Sequence, residues 1–202
     1  GKTTFVKYLA VRLARGEGAK MGLDDYLPIL LPLAAFANAL QHQDIRLDDF
    51  IAEYFSGIGA DLPIGPMLKE ALKAGRALIL LDGLDEVRDL NMRNTVVERV
   101  VDFYHFHRHQ GNKFVLTSRV VGYRAVRPSA EDLAECTIVD FEDDEIEAFV
   151  ARWTSALETQ AQGYTPVAHA DAETDRRELL DAIQHNPGVR QLASTPLLLT
   201  IL

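Results

Sequence analysis

The chain has 202 residues, 48% hydrophobic and 25% charged, with a net charge of −9 and a single cysteine. That composition supplies a globular core and argues against a broad nucleic-acid footprint. The lone thiol, Cys136, excludes an internal disulfide and a cysteine metal cluster, and is expected as a small buried residue in a reducing, cytoplasmic setting.

In chain order, residues 4–14 place Phe5, Leu9 and Leu13 at helical spacing, and Gly16 and Gly18 end that helix. Residues 27–33 predict a strand whose two prolines assign it to an outer position or a strand end. Short helices are predicted over 34–40, 47–55 and 66–74, the last closed by Gly75. Residues 77–81 and 114–116 are continuous apolar runs, which predict parallel strands buried on both faces. Between them Val96, Val97, Val100, Val101 and Tyr104 line one helix face, and Gly111 punctuates its end. No apolar run approaches the length needed to cross a bilayer. After about residue 140, amphipathic helices over 143–157 and 173–184 are joined by a polar stretch, and no strong strand follows.

These elements predict an α/β fold, a three-layer P-loop NTPase with a parallel sheet, followed by a small helical domain. The nucleotide-binding domain is expected over 1–140 and a helical lid over 141–202. The chain opens inside a phosphate loop and closes within a leucine-rich run, so both ends are expected to be cuts through a longer protein.

Three motifs carry chemistry. Gly1-Lys2-Thr3-Thr4 leads straight into a helix, as at the end of a Walker A loop. Glycine lets backbone approach a phosphate, and the first amides of a helix point at an anion. Lys2 is expected on the β- and γ-phosphates, and the Thr3 hydroxyl on Mg²⁺. Leu80-Leu81-Asp82-Gly83-Leu84-Asp85-Glu86 has the Walker B arrangement, in which an apolar strand delivers carboxylates at its carboxyl end. Asp82 is expected to hold Mg²⁺, and Asp85 or Glu86 to orient and deprotonate a water. The competing account is that Asp85 and Glu86 favour the start of the next helix. Thr117-Ser118-Arg119 ends the following strand, where Arg119 is expected to read the γ-phosphate or to stabilise charge during its transfer, the competing account being a surface salt bridge. Arg124 and Arg127 are expected in a loop at the nucleotide rim or a domain neighbour.

Together these motifs resemble the NACHT family, within the STAND class of P-loop NTPases. The resemblance rests on Asp82-Gly83-Leu84-Asp85-Glu86, on Leu116-Thr117-Ser118-Arg119, which is similar to the family's sensor 1, and on Leu192-Ala193-Ser194-Thr195-Pro196-Leu197-Leu198-Leu199. The last looks like the family's proline-containing motif, with Thr195 where asparagine is usual. Residues 118–124 are of a kind associated with bacterial members. The resemblance implies an ADP-bound resting state, ATP or GTP exchange on sensing a ligand outside this chain, oligomerisation, and hydrolysis as the reset of a signalling or defence switch. It also implies that Pro196 lies against the nucleotide base or ribose. Two alternatives stay open: an assembly scaffold stabilised by nucleotide with little turnover, and a AAA+-type motor.

Other features take plainer accounts. His105 and His109 share a helix face, but no third ligand supports a metal there, and cations suit a last helical turn. The run Glu142-Asp143-Asp144-Glu145 complements a helix start, and Trp153 is expected in the core with Ile146, Phe149 and Val150.

Overall fold

The computed structural model describes residues 1–57, 63–130 and 132–200. Ile201 and Leu202, the end of the leucine-rich run, lie outside the described residues. The chain divides into two compact units, Lys2–Glu135 and Cys136–Leu202, with Gly1 grouped with the latter.

In the first unit three strands, β1 (Leu27–Pro32), β2 (Ala77–Asp82) and β3 (Lys113–Leu116), form a parallel sheet in the order β1-β2-β3. β2 lies between the others and is buried at every residue, which is why its sequence is uniformly apolar up to Asp82. Among the described residues β1 pairs on one side only, the position its prolines allow.

Helices cover both faces, as the three-layer expectation requires. On one face α1 (Lys2–Ala14) packs Val6 and Leu13 against Leu78 and Leu80. On the other, α2 (Leu33–Leu40), α3 (Leu47–Gly57), α4 (Ile64–Lys73) and α5 (Leu90–His107) enclose Ile29, Leu31, Ile79 and Leu81 with Phe36, Ile51, Leu68, Val96 and Phe103. The alternation along β2 sorts even-numbered side chains to α1 and odd-numbered ones to the opposite layer, as a two-residue period demands.

Four expectations are corrected. Phe5 is half exposed, and Val6 takes the buried place in α1. β3 is only partly buried, because it is an edge of the sheet among the described residues. Cys136 is exposed. Arg124 belongs to a helix, α6 (Val120–Ala125), and not to a loop.

The base of the sheet is closed by backbone geometry. Gly75 and Gly111 both have positive φ, and a Cβ on Gly75 would lie 1.7 Å from the Gln110 carbonyl oxygen. Only glycine permits that approach. Beside them the buried Asn112 accepts the Ala77 N–H (3.0 Å) and donates to the carbonyls of Leu72 (2.9 Å) and His107 (3.1 Å). One side chain thus ties the end of α4, the start of β2 and the end of α5. His107 is buried against Asp48 of α3 at 2.6 Å, while His105 and His109 are exposed. No group of three or more ligating side chains occurs among the described residues.

The second unit is helical. α7 (Asp143–Gln162) and α8 (Pro166–His185) are longer than their periodicity predicts, so only residues 163–165 join them. α9 (Pro187–Ala193) and the short α10 (Pro196–Leu199) follow. Glu142 and Glu145 form a reciprocal capping box at the start of α7. Ile146, Val150, Ile183, Ala193 and Leu199 make the core, and Trp153 is half-buried, stacked on Phe149 at its margin.

Candidate functional site

The site is built where β2 and β3 end. β2 stops at Asp82, and Gly83 turns the chain with φ 77° into a single 3-10 turn, Leu84–Glu86. The positive φ selects glycine here, while the Glu86 side chain, 2.8 Å from where a Cβ would lie, is exposed and free to move aside. The turn is fastened to the chain after β3. The Thr117 N–H donates to the Leu81 carbonyl (2.9 Å), and the Leu84 N–H donates to the Thr117 carbonyl (2.9 Å). The Gly83 N–H donates to Thr117 Oγ1 (3.0 Å), whose own proton goes to Asp82 Oδ1 (2.5 Å).

Asp82 is 8% exposed. Thr117 occupies Oδ1, and Oδ2 accepts no hydrogen bond from a described residue. One buried carboxylate with one uncommitted oxygen suits a divalent cation whose other ligands are phosphate and water, and not a cage made by the protein alone.

Asp85 is partly buried. Its Oδ1 accepts the Arg119 N–H (2.8 Å), and its Oδ2 pairs with Arg119 Nε (3.3 Å). Glu86 is exposed; its main-chain N–H donates to the Gly83 carbonyl (3.0 Å), and its carboxylate has no hydrogen bond or ion pair with a described residue. Neither acid begins the next helix. α5 is capped by Asp89, which accepts the Met92 N–H at 2.7 Å, so Asp85 and Glu86 lie in the 3-10 turn before it and not in its first turn. Asp85, Glu86, Arg119 and Ala34 line an open cleft with Arg88, a cation that sequence reasoning missed. Its place two residues after the strand-end turn was the available signal.

The structure therefore gathers Asp82, Asp85, Glu86 and Arg119 of the expected site residues. Lys2, Thr3 and Thr4 occupy the first turn of α1, in the layer that packs on Leu78 and Leu80, and Thr3 and Thr4 are exposed. Gly1 directly precedes them. Pro196 starts α10 in the second unit. Arg127 is not free: it pairs with Glu135, which also accepts the Tyr123 hydroxyl at 2.8 Å.

A parallel sheet between two helical layers, with acidic groups at the carboxyl end of its middle strand, is an open α/β architecture with its ligand-facing edge at the strand ends, consistent with a P-loop NTPase. The chain belongs to the NACHT domain family, whose family model matches residues 1–157. No curated protein and no solved structure matches it. No helix among the described residues is long and apolar enough to cross a membrane.

Proposed function

We propose that this NACHT module is the ATP- or GTP-operated part of a STAND-class switch, with slow hydrolysis as its reset. The carrying observation is Asp82, buried at the end of β2 with one oxygen held by Thr117 and the other uncommitted. Residues 1–140 act as the nucleotide-binding domain, and 141–202 as a helical lid.

Gly1, Lys2 and Thr4 take the phosphates through backbone amides and the lysine ammonium. Thr3 and Asp82 hold Mg²⁺, which when bound neutralises phosphate charge. An acid of the Leu84–Glu86 turn, Asp85 or Glu86, accepts a proton from the attacking water. Arg119 reads the γ-phosphate, its guanidinium matching the planar edge of the anion. Pro196 lies against the base or ribose. ADP holds the resting state, and exchange for triphosphate drives oligomerisation in cytoplasmic signalling or defence, on a ligand sensed by another part of the protein.

The test is Lys2→Ala in the intact protein, with nucleotide affinity measured by titration. Loss of binding is expected, and unchanged affinity would overturn the proposal.

A further inference from the structure

We infer that Asp85 is a positioning residue for Arg119, and that proton acceptance from water falls to Glu86 alone. This rests on the nucleotide-hydrolysing function proposed above and divides its two acids into separate roles.

Asp85 is committed on three sides. Both of its carboxylate oxygens face one residue: Oδ1 accepts the Arg119 main-chain N–H, and Oδ2 forms an ion pair with Nε of the same arginine at 3.3 Å. The backbone carbonyl of Asp85 accepts Arg93 Nη2 at 3.4 Å, and the same arginine grips the Val87 carbonyl through Nε (2.9 Å) and Nη2 (2.7 Å). On the third side α6 passes so close that a Cβ on Gly122 would lie 2.5 Å from the Asp85 Cβ. The buried Gly122 is what lets α6, and Arg119 at its start, approach the acid.

The way Arg119 is held matters as much as the fact that it is held. Pairing through Nε leaves Nη1 and Nη2 without a hydrogen bond to a described residue, and the side chain is 81% exposed. A guanidinium fixed by its inner nitrogen keeps its outer edge, the edge that binds phosphate oxygens bidentately, available and oriented. Asp85 thus does for Arg119 what a carboxylate behind a metal-bound histidine does for the ring: it fixes direction without touching the ligand. Glu86, exposed on the same cleft and with no carboxylate partner among the described residues, has both oxygens available for water.

The experiment compares Asp85→Ala, Arg119→Ala, their double variant and Glu86→Gln in the intact protein. The readouts are affinities for nucleoside triphosphate and diphosphate, together with kcat. Asp85→Ala is expected to weaken triphosphate binding about five- to tenfold with diphosphate affinity retained. Arg119→Ala should do the same, and the double variant should be no worse than Arg119→Ala. Glu86→Gln should retain the affinity ratio and lose about 100-fold or more in kcat. Additive losses in the double variant would overturn the positioning role, as would an Asp85→Ala that lowers kcat at an unchanged affinity ratio. A Glu86→Gln with full turnover would overturn the assignment of the base. If Asp85→Ala does not fold, Asp85→Asn supplies the same comparison, since it keeps an acceptor for the Arg119 N–H and loses the ion pair. Failure of the underlying function is read separately, as nucleotide affinity that survives Lys2→Ala.

Discussion

The Thr117 hydroxyl donates to Asp82 Oδ1 at 2.5 Å while accepting the Gly83 N–H at 3.0 Å. A side chain from the end of β3 thereby fixes both the acid that terminates β2 and the turn that follows it. Thr117 is 7% exposed, so valine in its place would fill the same volume and satisfy neither partner. Thr117→Val is expected to cost about 1–3 kcal/mol, because a buried N–H loses its acceptor. It should also weaken metal-dependent nucleotide binding, since the carboxylate is no longer held in one rotamer. Chemical unfolding and titration at fixed Mg²⁺ check this, with Thr117→Ser recovering most of both. Full stability in the valine variant would show that the hydroxyl does not bridge.

Asn112 offers a contrast at the opposite end of the sheet. Its amide satisfies Ala77, Leu72 and His107 at once, all in buried surroundings. Asn112→Ala is expected to lose about 2–4 kcal/mol, since water cannot easily replace three partners there. Nucleotide affinity of the folded variant should not change. A melting temperature equal to that of the parent would refute the account.

How much of this was legible beforehand follows from the range of each signal. β2 is legible because six consecutive buried positions must all be apolar until the ligand-facing end. Gly75 and Gly111 are legible because a positive φ at the end of a helix or turn selects glycine. β3 misleads, because Phe114, Val115 and Leu116 are apolar in a strand that has a neighbour on one side only among the described residues. The site divides the same way. Its acids announce themselves by following an apolar strand. The commitment of Asp85 to Arg119, 34 positions away, leaves no local trace, because a side-chain pair between two strand ends has no period. Asn112 and Thr117 escape for the same reason: each is a common polar residue whose side chain bonds partners 34 to 40 positions distant, His107 beside Asn112 excepted.

The sorting of β2 side chains predicts a sharp difference between buried and exposed apolar positions. Ile79 is fully buried, whereas Val121 on α6 is 83% exposed. Ile79→Ala should cost about 2–5 kcal/mol through lost burial and the cavity it leaves. Val121→Ala should stay within about 0.5 kcal/mol of the parent. Equal effects in denaturant titrations would contradict the assignment of the core.

The last prediction concerns pH. Tyr123 of α6 donates its hydroxyl to Glu135 Oε1, and Arg127 pairs with the same carboxylate. The Tyr123 hydrogen bond, aided by Arg127, holds the Glu135 carboxyl below the usual carboxylate range. Burial, then the bond to Glu135, holds the Tyr123 phenol above its usual range. A depressed acid stabilises the native state above its unfolded value, and that contribution disappears as pH falls through the lowered native value. A raised phenol stabilises below its unfolded value, and its contribution disappears as pH rises through the raised one. The tie between α6 and residue 135 should therefore hold across the neutral range and release at both extremes, in acid through Glu135 and in alkali through Tyr123. Because the groups lie near the surface, the effect is local and screened by salt. The check is a side-chain NMR titration of Glu135. Its midpoint should return toward the usual carboxylate range in Tyr123→Phe, since the hydroxyl is the largest cause of the shift. An unchanged midpoint would mean that the phenol does not hold the carboxylate, and that α6, with Arg119 at its start, is anchored by Asp85 and Gly122 without help from residue 135.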